Sequence, residues 1–238
     1  MLVSHRKSFI FTKTAKTAGT SVEAYFEQYC MCEGEYEFSH FREAYESECG
    51  VIGHRGSDLN GVKWWNHMSA DKIKARLDED VWDRYFKFTV VRNPYDKLVS
   101  RFKMLERWRE GYSFEQKAKA VVKKVLQRGH PYDQAWGRDP ISRFRGWVKR
   151  GGSVRDRDKY FIDGELCVDY FIRYEDLPGG IREVCERIGV EFDPEAIPML
   201  KPGGARKIPV ADYYDAETIA LVRERFDWEF ERFGYEMP

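Results

Sequence analysis

The chain has 238 residues, 42% hydrophobic and 16% aromatic, a composition that excludes disorder and suffices for one well-buried core or two small domains. Lys+Arg and Asp+Glu number 40 each, so the formal charge is zero, but residues 97–159 carry +11 against −2 before them and −9 after. That basic middle reads as a solvated helical face, a funnel for phosphate or a surface for an anionic acceptor, and no nucleic-acid motif accompanies it.

No apolar run approaches the ~20 residues of a membrane span, and the opening segment Met1–Lys7 leads straight into a strand with no signal-peptide pattern. The cysteines Cys30, Cys32, Cys49, Cys167 and Cys185 are odd in number and scattered. Cys30 and Cys32 stand too close for a zinc pair, and no His or Cys partner lies at ligand spacing. The expectation is five reduced thiols, no metal, no nucleic-acid or membrane partner, and a cytoplasmic location.

In chain order, Phe9–Thr12 predicts a buried strand, followed after a polar turn by a helix from Thr20 to Tyr29 with Val22, Tyr25, Phe26 and Tyr29 on one side. Residues 33–66 are rich in glycine and aromatics, and only Val51-Ile52 reads as a short strand. Ser69 caps a short helix reaching Leu77. Tyr85–Val91 is the next strand, and Pro94 opens a helix to about Arg109. Further helices are predicted near 113–128 and 140–150. Val168–Arg173 is a strand and Gly179–Ile188 a helix. A Pro/Gly-rich loop at 198–209 precedes an amphipathic helix over Ala216–Phe233. The alternation predicts a single α/β domain over residues 1–238, a three-layer sandwich around a central parallel sheet with ligands at the carboxyl ends of its strands.

Two segments, Phe9–Ser21 and Phe86–Phe102, each read as strand, polar turn and helix start, with cationic and hydroxyl side chains in the turn. Such a unit aims backbone N–H groups and the positive helix end at one point, which suits a phosphate. Two of them suggest a ligand with two separate anionic groups. The first is P-loop-like but is no Walker A sequence: Lys16 precedes Gly19 rather than following it, and no apolar run ends in an Asp suited to magnesium. A nucleotide kinase or NTPase on a related fold, and a non-catalytic module holding polyanions on the basic stretch, stand as rival readings.

The run Lys16-Thr-Ala-Gly-Thr-Ser21 after a strand, with Val91-Arg-Asn-Pro-Tyr-Asp-Lys-Leu-Val-Ser100 further on, resembles the sulfotransferase superfamily, most closely its carbohydrate-type branch. Ala15 stands where that branch usually has Pro, and Lys13 where His is frequent. Phe171–Leu177 and Asp227–Tyr235 resemble the same branch. The resemblance implies a P-loop NTPase-like sulfotransferase fold and 3′-phosphoadenosine 5′-phosphosulfate as sulfuryl donor, whose phosphates at both ends agree with the two-anion reading. It further implies that Lys16, Thr17, Gly19, Thr20 and Ser21 cradle the 5′-phosphosulfate, with Lys16 on the bridging oxygen, and that Arg92 and Ser100 take the 3′-phosphate. Lys13 reads as a donor contact or a solvent-facing lysine. Arg206 and Lys207 suit a basic loop closing over the nucleotide.

Sulfuryl transfer needs a base for the acceptor hydroxyl or amine, and histidine titrates in the right range. Of the five histidines, His67 in Trp64-Trp-Asn-His-Met-Ser-Ala70 is assigned as base, with His54 as runner-up and Glu23 or Glu46 as carboxylate alternatives. Trp64 and Trp65 read as an aromatic acceptor wall or as core. The acceptor class is a carbohydrate or a small-molecule metabolite, and the scheme calls for no metal.

Overall fold

A computed structural model describes residues 1–39, 41–56, 58–111, 139–154, 156–198 and 208–238. The expected helix near 113–128, and Arg206 and Lys207, lie outside the described residues. The chain forms two compact units, Met1–Val91 with Arg155–Pro202, and Arg92–Val154 with Gly203–Pro238.

The first unit holds a six-stranded sheet in the order β3 (Tyr45–Ser47), β4 (Gly50–Ile52), β1 (Leu2–Ser4), β2 (Phe9–Thr12), β5 (Phe86–Val91) and β8 (Tyr170–Arg173). Strands β2, β5 and β8 are parallel, with Phe9 opposite Phe86 and Val90 opposite Ile172. Strands β1, β4 and β3 extend them antiparallel, so the sheet is mixed. Neighbouring residues on a strand serve opposite faces. Leu2, Phe9, Phe11, Ile52 and Phe88 pack under α1 (Gly19–Phe26) and α6 (Leu177–Arg187), which contribute Val22, Phe26, Ile181 and Val184. Val3, Ile10 and Val51 pack on the other side with Trp64, Ile73 of α2 (Ala70–Lys74) and Trp82 of α3 (Glu79–Arg84). These are the three layers expected. Every residue of β1 and β2 is buried, so neither strand shows polar-apolar alternation. A small hairpin, β6 (Phe161–Ile162) and β7 (Glu165–Leu166), stands apart from the sheet.

The second unit is helical among its described residues: α4 (Pro94–Glu110), α5 (Pro140–Lys149), α7 (Ala216–Arg225) and α8 (Asp227–Phe233). Its core is aromatic. Phe144 meets Phe102 at 5.4 Å and Tyr214 at 4.9 Å between ring centres, and the Tyr214 hydroxyl donates to the Tyr95 carbonyl at 2.8 Å. Asn93 caps α4 by accepting the Tyr95 N–H at 3.1 Å, while its amide donates to the Glu236 carbonyl at 2.6 Å. The single helix expected over Ala216–Phe233 is broken at Phe226, whose backbone (φ −123°) leaves the helix as the buried ring enters the core.

The expectation of five reduced thiols is corrected: Cys32 and Cys49 form a disulfide, and Cys30, Cys167 and Cys185 are free. Cys32 follows the one-turn 3₁₀ helix Glu27–Tyr29, and Cys49 lies in the β3–β4 turn, 5.4 Å away between Cα atoms. Gly50 permits the approach, since a Cβ there would sit 2.3 Å from the Val3 carbonyl oxygen and 2.8 Å from that of Cys30. The pair lies 17 positions apart in sequence, and no described helix is long and apolar enough to cross a membrane.

Closing a loop of this size stabilises a fold by roughly 3 kcal/mol. Replacing Cys32 and Cys49 by serine is therefore expected to lower the urea midpoint and abolish its response to a dithiol reductant. A wild-type midpoint that is the same with and without reductant would show that the bond does not contribute.

Candidate active site

The Thr89 hydroxyl of β5 donates to the Thr12 carbonyl at the end of β2 (2.7 Å). Beyond it the chain reverses, with Lys16 and Ala18 at φ 64° and 58°. Left-handed backbone at two non-glycine positions costs on the order of 1–3 kcal/mol each and persists only where surrounding contacts impose it. Those contacts lie within the loop and against β5: the Thr14 hydroxyl donates to the Val90 carbonyl (2.5 Å) and meets the Thr17 hydroxyl (2.9 Å). Helix α1 then starts at Gly19 with Ala18 as N-cap and no side-chain acceptor for its first amides. A helix start in that condition suits an anion.

Of the five residues expected to cradle the phosphosulfate, Lys16, Thr20 and Ser21 keep exposed surface, whereas Thr17 and Gly19 are buried and build the loop. A Cβ on Gly19 would lie 3.0 Å from Cγ of Lys13 and 3.3 Å from the Thr14 carbonyl oxygen, so this glycine makes room for the Lys13 stem.

Lys13 itself turns inward. It is 2% exposed, and its ammonium donates to Glu23 of α1 at 2.6 Å. Arg55 donates to Glu23 at 3.2 Å and also to Glu27, one turn further along, which takes Arg42 at 3.3 Å. The amino group of Met1 lies 2.6 Å from Glu23. Burial alone would raise the Glu23 carboxyl, but Lys13, the Met1 amino group and Arg55 together hold it far below the usual carboxylate range. A carboxylate so held is a poor base. Glu46 is engaged with Lys63 at 2.6 Å.

His67 joins this loop. Its Nδ1 lies 3.0 Å from the Lys13 carbonyl oxygen. A carbonyl only accepts, so Nδ1 carries the proton and Nε2 keeps its lone pair. Burial, then Lys13 and the Met1 amino group, lower its pKa to about 4, against the opposing pull of the Lys13 hydrogen bond and Asp156. The residue retains exposed surface, and its ring is neutral at neutral pH. His67 also has positive φ (53°); of the five such non-glycine residues among those described, three are Lys16, Ala18 and His67.

His54 lies on the neighbouring segment, where its carbonyl accepts the Asn66 N–H at 3.0 Å. Its ring rests on Gly56, whose Cβ, if present, would come within 2.2 Å of Nε2. Trp64 is core, 1% exposed, while Trp65 is half-buried with Lys72 and Arg76 over its ring at 5.7 and 5.4 Å. In the second unit Arg92 donates through Nε and Nη2 to one Asp96 oxygen, at 2.8 and 2.5 Å. Asp96 and the partly exposed Ser100 follow one another by four residues on α4, along one face. A cavity of about 450 Å³ lies in the first unit against Tyr25, Gln28, Tyr36 and Phe38, and none of the expected site residues lines it.

Sequence reasoning missed Arg55, Glu27, Asp96 and Asp156. Glu23, buried on a helix otherwise lined by Val22, Tyr25 and Phe26, and Glu27, buried in the turn that follows it, were a signal that cations must meet them. Asp156 had none: it stands in a run of charged residues, yet it is 4% exposed and accepts the Ala15 N–H through both oxygens at 3.2 and 3.1 Å.

Glu23→Gln is expected to destabilise the protein by about 3–5 kcal/mol in urea unfolding, because Lys13 and Arg55 stay buried without their counter-charge. Since the Glu23 pKa is lowered by folding, its contribution is present above its ordinary 4.5 and lost as pH falls, so the variant is expected to lose acid sensitivity as well. Equal stability of variant and wild type at pH 7 would refute this. For His67, an NMR titration is expected to give a midpoint below the ordinary 6.5, near 4; a midpoint at 6.5 would refute the influence of the neighbouring Lys13 and Met1 cations.

Residues 1–177 match the sequence model of the sulfotransferase family. Carbohydrate sulfotransferase 10 of Xenopus laevis is 26% identical over 202 residues, which cover 76% of this chain and 54% of that protein. Its Danio rerio counterpart is 26% identical over 208 residues, with the same two coverages of 76% and 54%. The chain thus spans about half the length of the curated relatives it matches. A solved sulfotransferase from Alicyclobacillus acidocaldarius aligns over 93% of this chain and 92% of that one at 15% identity, with a TM-score of 0.37. The family match takes in the loop between β2 and α1, His67, Arg92 and Ser100, and by that match the chain belongs to the sulfotransferase family.

Proposed function

We propose that the protein moves a sulfuryl group from 3′-phosphoadenosine 5′-phosphosulfate to a hydroxyl, or an amine, of a carbohydrate or small metabolite, and that residues 1–238 act as one sulfotransferase domain. The observation that carries this reading is the 3.0 Å hydrogen bond from His67 Nδ1 to the Lys13 carbonyl, which attaches a neutral imidazole to the same loop that bears Lys16. Family membership supports the reaction class, and the carbohydrate in the relatives' names supports a sugar acceptor.

In this scheme His67 Nε2 takes the acceptor proton while the acceptor oxygen attacks sulfur in line. The bond from sulfur to the 5′-phosphate oxygen breaks, and its electron pair stays on that oxygen. Lys16 offsets the charge left there, at the stage where it develops and not before. Thr20, Ser21 and the first amides of α1 hold the phosphosulfate, with Thr17 and Gly19 shaping the loop. Arg92, oriented by Asp96, and Ser100 take the 3′-phosphate, and Arg206 and Lys207 add positive charge over the nucleotide. Lys13 is left out of the donor contacts because its ammonium is on buried Glu23.

Calorimetric titration is expected to show 3′,5′-adenosine bisphosphate binding without added magnesium, in preference to ATP with magnesium. Arg92→Ala is expected to weaken it roughly 10- to 100-fold, the loss of charge-assisted bonds to phosphate. A clear preference for magnesium-ATP would overturn the proposal in favour of a kinase or NTPase.

A further inference from the structure

The Cys32–Cys49 disulfide closes a segment that has no core of its own. None of the described residues from 33 to 48 is buried. Among them the regular structure is β3 (Tyr45–Ser47), whose Tyr45 leans half-buried on the core below α1. Phe38 and Phe41 stand in solvent, 47% and 78% exposed. Apolar burial is what ordinarily holds a loop in one place, and a segment without it opens at low cost.

This segment nevertheless reaches fully buried charges. Arg42 donates to Glu27 at 3.3 Å, and its carbonyl accepts the Arg55 N–H at 2.7 Å. The Ser39 carbonyl accepts from the Arg55 guanidinium at 2.5 Å, and the Tyr36 hydroxyl donates to the Ala24 carbonyl of α1 at 3.1 Å. Arg55 in turn holds Glu23 and Glu27; Glu23 holds Lys13, and the Lys13 carbonyl meets His67. Direct contacts therefore lead from the disulfide-closed segment to the loop between β2 and α1. Both bonded cysteines keep partly exposed surface, whereas the free Cys30 and Cys185 are buried. The bond is within reach of a reductant.

We infer that Cys32–Cys49 is a redox switch: a dithiol opens the bond, residues 33–39 and 41–44 come away from α1, and the loop between β2 and α1 holds phosphate less tightly. One thiolate of the dithiol attacks a sulfur of the bond and forms a mixed disulfide, which the second thiolate then displaces. Two electrons pass to the protein, Cys32 and Cys49 end as protonated thiols, and the dithiol leaves as its own disulfide. The device is an order-to-disorder step set off by a thiol change. The phosphate ligand that reports it rests on the sulfotransferase reading above.

The test treats full-length protein with dithiothreitol in the absence of denaturant. Free thiols are counted by alkylation and mass spectrometry, and the fold is checked by circular dichroism. Reduction is expected to speed amide exchange at residues 33–39 and 41–44 at least about tenfold. It is expected to weaken 3′,5′-adenosine bisphosphate binding at least about fivefold in calorimetry, reversibly on reoxidation. Arg42→Ala, with the bond intact, is expected to weaken binding in the same direction, since it removes the contact to Glu27. The double variant Cys32→Ser/Cys49→Ser is expected to match reduced wild type and ignore dithiothreitol, and if it fails to fold, reduced wild type decides. A bond that resists dithiothreitol in the folded protein overturns the proposal. So does full reduction that leaves exchange or affinity unchanged, or that unfolds the protein, because the bond is then only a brace. Oxidised wild type that binds no bisphosphate overturns the sulfotransferase reading and this proposal with it. Oxidised wild-type binding with an affinity that reduction does not change overturns this proposal alone.

Discussion

The Glu23 carboxylate is the point on which the loop between β2 and α1 depends. It is fully buried on the inner side of α1 and draws Lys13 and Arg55 to itself from two other parts of the chain. Lys13 is the first residue after β2, so this ion pair decides that the loop begins by turning into the protein. With the side chain inward, its carbonyl is the group that meets His67, and Gly19 is the residue that can lie against its stem. Buried ion networks are rarely more stabilising than the apolar packing that could replace them. What this one supplies is placement: helix, loop and the segment carrying Arg55 share one set of charges and cannot shift independently.

The sheet supplies the other half of the placement. Parallel pairing of β2 with β5 puts Thr12 beside Thr89, and the hydroxyls of Thr89 and Thr14 then bridge the two strands just where β2 ends. Lys16, Ala18 and His67 all carry left-handed backbone within this small region. Local preference does not produce such conformations in a lysine, an alanine and a histidine; the bonds from Thr14, Thr17, Asp156 and Lys13 impose them. The outcome is a loop whose partly exposed polar side chains are Lys16, Thr20 and Ser21.

The electrostatics divide the site by role. Desolvation, then the buried Lys13 ammonium and the Met1 amino group, lower the pKa of the His67 imidazole and keep it neutral at neutral pH. Asp156 pulls the other way. On α4, Arg92 is paired with Asp96 one turn along, which restricts its rotamer freedom. None of these balances follows from net charge, which is zero for the whole chain.

By itself the sequence determined the α/β class, the two strand-turn-helix units and the family resemblance, because these rest on local apolar runs and on residue spacing along a few turns of chain. It also marked His67 through its position before a short helix. Only the tertiary structure decided that half the sheet is antiparallel, since fully buried strands such as Leu2–Ser4 and Phe9–Thr12 carry no alternation to betray their direction. Only the tertiary structure turned Lys13 away from the loop surface, joined Cys32 to Cys49, broke the last helix at Phe226 and brought Asp156 to Ala15. Each of these is settled by a partner far away in sequence. A charge or a thiol carries no local mark of which distant group will meet it, and the free energy of burying it depends wholly on that partner.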